Sequence, residues 1–300
     1  MRQRPYQQVD VFTPAPYLGN PLAVVLDGEG LTAEAMQQFT DWTNLSEATF
    51  VLPPTPEGRA AGADYRVRIF SPGRELPFAG HPTLGSCHAW LQQGGQPRAA
   101  GRVVQECGVG LVTLRQDGDR LAFAAPPLRR SGPLDEADVA RIAQGLGVAR
   151  SDILHHAWCD NGPQWRGVML RSAAQVLALK PDGAILAGLE VGVVGPTAEG
   201  GASAPRGKVG VVGSSDQDGI AFEVRAFFPG NNGPVEDPVT GSLNAALAQW
   251  LIGAGLAPTR YVASQGTALG RAGRVHVAQD GSDIWVGGST VTCVRGEVLL

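Results

Sequence analysis

The chain has 300 residues, a formal net charge of −4 and 43% hydrophobic residues, with a mean hydropathy close to zero. This describes a globular protein of one large or two ordinary domains, either half being long enough to bury a core. The lack of a basic block argues against nucleic acid as a partner, because phosphate binding needs clustered positive charge, and no apolar stretch is long enough to span a bilayer.

The first residues, MRQRPYQQVDVF, lack the apolar core of a secretion signal, so the expected location is the cytoplasm. VDVF (9–12) and LAVVL (22–26) read as strands. LTAEAMQQFTDWTN (31–44) is amphipathic and leads into a strand, LSEATFVL (45–52). Alternation puts Glu47 in phase with Leu45 and Val51. A carboxylate on a buried row loses hydration and its pKa should rise, at about 1.4 kcal/mol per unit, so it persists only where it is used. The competing reading leaves Glu47 in water at a strand end.

VRIFSPGRELPFAGH (67–81) recurs in altered form as VRAFFPGNNGPVEDPVTGS (224–242). Both copies open Val-Arg-x-Phe-x-Pro-Gly. After four extra residues in the second, Glu75, Pro77 and Gly80 fall opposite Glu236, Pro238 and Gly241. Each copy reads as strand, Pro/Gly loop and helix. The first helix is expected from about Pro82 to Gln93, with proline at its first position. The second is expected to begin with Ser242 as N-cap and to stop at Gly253 or Gly255. Neither TLGSCHAWL nor LNAALAQWLI has a polar face, so both should be buried on all sides.

Two helices wrapped by strands imply an α+β fold of two pseudo-symmetric half-domains, each a β-barrel-like sheet around a central helix. LDEADVARIAQGLG (134–147) resembles 31–44 in character and supports duplication. PPLRRSGP (126–133) reads as a linker, giving half-domains 1–127 and 128–300 with terminal strands free to cross over. Residues 195–207 read as a mobile loop. GASAPRGK (201–208) fails as a phosphate loop, because Val209 stands where Ser or Thr should follow the lysine. Cys87, Cys107, Cys159 and Cys293 form no C-x-x-C pair, so neither zinc nor a redox motif is expected, and buried thiols are.

His81 is suited to proton transfer near neutral pH. Asp237 precedes a proline and is therefore extended. It and Glu236 should point opposite ways. A helix-capping role competes for each of Asp237, His81 and Ser242. The repeat places Gly80 and Gly241 at two equivalent helix N-termini. If the halves face each other, the free N–H groups there would hold a carboxylate or a developing enolate in an interdomain cleft, bordered by His81 and Asp237. A serine-hydrolase reading of Ser242, His81 and Asp237 lacks the G-x-S-x-G elbow.

The motifs VDVFTPAPYLGNPLAVV, LSEATFVLP, ELPFAGHPTLG, DNGPQW, VRAFFPGNNGPVEDPVTGSLNAAL and SQGTALGR, in this order, make the chain resemble the phenazine-biosynthesis PhzF-like isomerases over essentially its whole length. The resemblance implies a diaminopimelate epimerase-like fold, a homodimer, and neither cofactor nor metal. It implies Glu47 as the catalytic acid/base, with His81 and Asp237 relaying protons and anchoring the substrate. Ser46, Gly80, Gly241 and Ser242 are the substrate-binding residues it implies. The reaction it implies is proton transfer on a trans-2,3-dihydro-3-hydroxyanthranilate-like compound. Ala79 and Thr240 stand where the epimerase branch carries facing cysteines, which disfavours a two-thiol epimerase. GRAG (270–273) departs from the usual end of its motif. An epimerase or racemase working through Glu47, or a non-enzymatic small-molecule binding protein, are the alternatives.

Overall fold

The computed structural model describes residues 1–197, 219–230 and 233–300. The segment GASAPRGK and all but the first three residues of the expected 195–207 loop lie outside them. The described chain is mixed α+β, mostly sheet, and clusters into two compact units. Unit 1 comprises Met1–Ala124 and Gly287–Leu300, and unit 2 comprises Ala125–Val286. Among the described residues, no helix is long and apolar enough to cross a membrane.

Unit 1 runs β1 (Gln3–Val11), β2 (Asn20–Val25), α1 (Ala33–Thr43), β3 (Ala48–Leu52), α2 (Pro56–Ala60), β4 (Tyr65–Ser71), β5 (Arg74–Leu76), α3 (Gly80–Gln92), β6 (Arg102–Cys107), β7 (Gly110–Asp117) and β8 (Arg120–Ala124). Unit 2 follows with α4 (Glu136–Leu146), β9 (His155–Asp160), β10 (Gln164–Met169), α5 (Ala173–Ala178), β11 (Glu190–Pro196), β12 (Phe222–Gly230), β13 (Gly233–Asp237), α6 (Gly241–Gly253), β14 (Arg260–Gln265) and β15 (Gly273–Asp280). Along β16 (Asp283–Gly288) the chain passes from unit 2 back to unit 1, where β17 (Thr290–Leu299) ends it.

The strand pairings show the duplication directly. In unit 1, β1–β2 is antiparallel, β2–β3 parallel, β3–β4 antiparallel, β4–β5 antiparallel, β4–β6 parallel and β6–β7 antiparallel. In unit 2, β9–β10, β10–β11, β11–β12, β12–β13, β12–β14 and β14–β15 repeat those senses in the same order. One detail differs from the sequence reading. Helix α1 links β2 to β3, and the matching link from β10 to β11 carries α5, so 134–147 is not the counterpart of 31–44. Helix α4 precedes β9 instead. Amphipathicity marks both helices as surface elements but carries no information on which connection they occupy.

Each unit is built around its apolar helix. Helix α3 packs against β1, β2, β3, β6, β8 and β17. A side chain at Gly85 would meet Leu22 at 2.6 Å, so a glycine there lets α3 lie close to the sheet. In unit 2, α6 packs against β9, β10 and β15. Here the glycine is on the strand: Gly192 of β11 makes room for Leu243, 2.3 Å from where a Cβ would stand. The outer face of the first sheet is closed by α1 through Met36, Phe39, Phe50 and Phe70, and α4 covers Trp158, Val168 and Val191 in the second. The proline-rich 126–133 segment is bonded into unit 2. Arg129 and Arg130 donate to the Asp160 carbonyl, and the Arg130 guanidinium lies 3.6 Å over Trp158.

Candidate functional site

The helix starts that carry the expected site residues differ from the sequence reading by two residues. The N-cap of α3 is Ala79, with Thr83 N–H bonded to its carbonyl, so Gly80 and His81 lie inside the first turn. Pro82 is tolerated because the first four N–H groups of a helix have no intrahelical acceptor. The N-cap of α6 is Thr240, not Ser242. The Ser242 hydroxyl is instead taken by Trp165, whose Nε1 donates to it at 3.1 Å. Neither N-cap side chain bonds its own helix.

In unit 1 the structure brings Glu47 and His81 together. Asn44, left-handed at φ 56°, reverses the chain after α1, and Glu47 follows three residues later, just ahead of β3. Its Oε2 lies 3.4 Å from His81 Nε2, with the glutamate side chain 17% exposed and the imidazole 5%. Asn20, fully buried at the start of β2, sets its Nδ2 3.4 Å from His81 Nδ1. The turn that delivers Asn20 is held by Asp10, whose Oδ2 accepts from Gly19 N–H at 2.9 Å. Burial pushes the His81 pKa down to about 3, against the opposing effect of a hydrogen bond to the Pro21 carbonyl. The ring is therefore neutral near pH 7. Ser46 is half-buried beside Glu47 in sequence, and Gly80 is buried at the start of α3.

Unit 2 holds the second constellation. Glu236 and Asp237 do point opposite ways, as adjacent extended residues must. Glu236 receives a two-pronged bond from Arg225, 2.9 and 2.7 Å, and Asp237, 9% exposed, accepts from the Thr240 hydroxyl at 2.6 Å. Gln265, fully buried, braces this loop on both sides. Its Oε1 accepts from Thr240 N–H and Asn244 Nδ2, and its Nε2 donates to the Asp237 carbonyl and the Thr240 hydroxyl. Asn161 Nδ2 donates to the Ser242 carbonyl at 2.9 Å. Gly241 opens α6 between these groups.

Sequence alone does not single out Asn20, Asn161, Trp165 or Gln265, and Thr240 is named there only as standing in place of an epimerase cysteine. Each lies within or beside a quoted motif: GNPLAVV, DNGPQW, EDPVTGS or SQGTALGR. A polar residue inside or at the end of a buried strand, as Gln265 is after VAS, was the available signal. Chemically, unit 1 offers a carboxyl beside a neutral imidazole, a pair able to hold and exchange one proton. Unit 2 offers an oriented carboxylate and an N-terminus free of side-chain caps.

Residues 9–296 match the model of the family described as phenazine biosynthesis-like protein. The chain is 33% identical over 312 residues to antisense-enhancing sequence 1 of Schizosaccharomyces pombe, covering 99% of each. It is 30% identical over 308 residues to the trans-2,3-dihydro-3-hydroxyanthranilate isomerase of Pseudomonas chlororaphis, covering 98% of this chain and 99% of that one. Among solved structures, a predicted epimerase from Pseudomonas aeruginosa superposes with a TM-score of 0.74 at 27% identity over 99% of both chains. The chain thus belongs to the phenazine biosynthesis-like family and is an enzyme of that family's isomerase type.

Proposed function

We propose that the protein is a cofactor-independent isomerase that removes a proton from a carbon of a small carboxylate-bearing substrate and returns it to another, with Glu47 as the acid/base. The observation that carries this reading is the 3.4 Å approach of Glu47 Oε2 to a histidine that burial keeps neutral. A neutral imidazole has one N–H and one lone pair. Its N–H can bond the Glu47 carboxylate and its lone pair can accept from the carboxylic acid, so it supports either protonation state of Glu47 without itself taking a charge. A group that must both take and return a proton works best when its two forms are close in energy.

His81 is the relay partner in this proposal, and Asn20 holds its ring. Asp237 and Ser242 serve the same reaction as binding groups for the polar end of the substrate. The N–H groups opening at Gly80 and Gly241 receive carboxylate oxygens, and Ser46 lies beside Glu47 to hold the substrate's position. The substrate class follows the relative from Pseudomonas chlororaphis, whose name specifies trans-2,3-dihydro-3-hydroxyanthranilate. A cytoplasmic location and the homodimer expected from the resemblance belong to the same proposal.

The test is incubation with trans-2,3-dihydro-3-hydroxyanthranilate in deuterated water, followed by proton NMR. The proposal predicts an isomerised product carrying deuterium on carbon. Inversion at a stereocentre without movement of a double bond would transfer the site to the epimerase reading. Recovery of unchanged, unlabelled substrate from an enzyme whose melting temperature the compound raises would leave a binding protein.

A further inference from the structure

Trp165 decides which way the Ser242 hydroxyl can point. The indole Nε1 donates to Ser242 Oγ at 3.1 Å. Trp165 is 4% exposed, whereas Ser242 is half-buried and open on one side. An indole N–H is a donor only, and a hydroxyl has one O–H and two lone pairs. One lone pair of Ser242 is thus committed to Trp165. Turning the O–H toward the indole would set two hydrogens against each other, so the O–H must aim elsewhere. Among the described residues, no acceptor takes it.

The backbone around the hydroxyl has the same polarity. Thr240 is the N-cap of α6 and makes no side-chain bond to the helix. The N–H groups of Gly241, Ser242 and Leu243 therefore have no intrahelical acceptor. Asn161 Nδ2 donates to the Ser242 carbonyl at 2.9 Å and holds this turn in place. The acceptor nearest in sequence, Asp237, is engaged by the Thr240 hydroxyl. What the start of α6 presents is a set of donors: backbone N–H groups and one hydroxyl whose hydrogen is turned away from the indole.

Unit 1 carries the same device with a different polarity. In each unit an aspartate at the end of one strand accepts from a glycine N–H in the turn that follows, Asp10 from Gly19 and Asp160 from Gly162, both at 2.9 Å. In each, the next strand then supplies the side chain that holds the residue after the helix-opening glycine. Asn20 of β2 lies 3.4 Å from His81 Nδ1, and Trp165 of β10 bonds Ser242. An asparagine amide can either donate or accept, which suits a histidine that serves both states of Glu47. Tryptophan can only donate, which suits a hydroxyl kept in one role.

We infer that Trp165 is a positioning residue for substrate specificity: by pinning the Ser242 hydroxyl as a donor, it makes the start of α6 select a carboxylate over an uncharged amide. The inference rests on placing the substrate's polar end there, as proposed above. A carboxylate offers acceptors on both oxygens and satisfies every donor it meets. A carboxamide can give its oxygen to one donor, but its NH₂ then faces another, and a group left unpaired on binding costs the full desolvation penalty. Without the indole N–H, the Ser242 hydroxyl is free to turn and accept from that NH₂. The selectivity therefore sits in Trp165, which acts through Ser242.

The test is calorimetric titration with 2-aminobenzoate and 2-aminobenzamide, which differ only in carboxylate against carboxamide and have no sp³ C–H to give up. Circular dichroism confirms the fold of each variant. The wild-type protein should prefer the carboxylate by about tenfold or more. Trp165→Phe keeps a ring and loses the N–H, and should reduce that preference by roughly three- to tenfold. In a Ser242→Ala background, which lowers the preference by itself, Trp165→Phe should reduce it no further. A purely structural role would weaken both ligands alike. A second readout uses the wild-type fold. Of the six tryptophan indole N–H signals in ¹⁵N-labelled protein, Ser242→Ala identifies that of Trp165. Because a chain of hydrogen bonds polarises along its length, 2-aminobenzoate should move this signal downfield and 2-aminobenzamide should move it less. An unchanged preference in Trp165→Phe, a further loss in the Ser242→Ala background, or an indole signal indifferent to 2-aminobenzoate would overturn the inference. So would a wild-type protein that binds neither compound. Absence of deuterium exchange with the carboxylate preference intact would remove the proton-transfer reading and leave this one standing.

Discussion

The two copies of the Val-Arg-x-Phe-x-Pro-Gly segment share a scaffold and differ in what they bury. In both, an arginine on the first strand holds a glutamate on the second through two parallel bonds, Arg68 with Glu75 and Arg225 with Glu236. Residue pairing across the two hairpins is equivalent: Ile69 opposite Leu76 corresponds to Ala226 opposite Asp237. The first pair sits at the surface, with 22% and 42% of its side chains exposed. The second is 7% and 11% exposed, and Arg225 also donates to the Val176 and Leu179 carbonyls. Leucine in copy one becomes the oriented carboxylate of Asp237 in copy two, and His81 becomes Ser242. Duplication thus kept the strand–turn–helix frame and divided the chemistry. Copy one ends in His81, 3.4 Å from the Glu47 carboxylate, and copy two holds a fixed carboxylate and a braced loop.

The sharpest way to break this comparison is to remove the arginine from each copy. Arg225→Ala strands a buried Glu236 and two buried carbonyls, and should cost about 3–5 kcal/mol of stability. Arg68→Ala, at a water-exposed pair, should cost about 0–1 kcal/mol. Urea unfolding of the two variants measures both, and equal losses would contradict the burial difference.

A smaller effect separates the two buried glutamines. Gln265→Ala leaves Thr240 N–H and Asn244 without their acceptor, and should cost about 1–3 kcal/mol. Because that loop carries Asp237, turnover should fall beyond what lost stability explains. Gln105 is fully buried as well but bonds Tyr65 and Thr83 within unit 1. Gln105→Ala should destabilise to a similar degree with little change in the turnover of the folded fraction.

The pH dependence gives the most gradual contrast. The His81 pKa falls from 6.5 to about 3 on folding, so between these values the unfolded chain binds the additional proton. Stability from this residue is intact above pH 6.5 and declines as pH falls toward 3, by about 1.4 kcal/mol per unit. His88, lowered to about 4 by burial, acts in the same sense. His81→Gln should flatten the acid limb of the stability curve by that slope. Ser242→Ala, in the equivalent position of copy two, should leave the slope unchanged.

Local repetition made much of this legible in the sequence. Arg68, Glu75 and Gly80, with their counterparts Arg225, Glu236 and Gly241, recur because the hairpin and helix start need the same residues twice. Pro82 and Ser242 are good helix openers by type, but extended Ala79 and Thr240 take the cap and the Ser242 hydroxyl goes to Trp165, so both helices start two residues earlier than residue type suggests. The bracing residues were not legible. Asn20 meets His81 across 61 positions and Gln265 meets Thr240 across 25, and no local pattern encodes such distances. Glu47 was placed within a strand, and it stands just before β3, half-buried, where its side chain can turn toward α3.

The central claim is that Glu47 moves the proton, and Glu47→Gln tests it most directly. The amide is nearly the same size but can neither take nor return a proton. With melting temperature and substrate affinity held, carbon-bound deuterium incorporation from trans-2,3-dihydro-3-hydroxyanthranilate should fall by roughly 10²–10⁴-fold relative to the wild-type enzyme. Incorporation within a few-fold of wild type in a correctly folded Glu47→Gln protein would contradict the account.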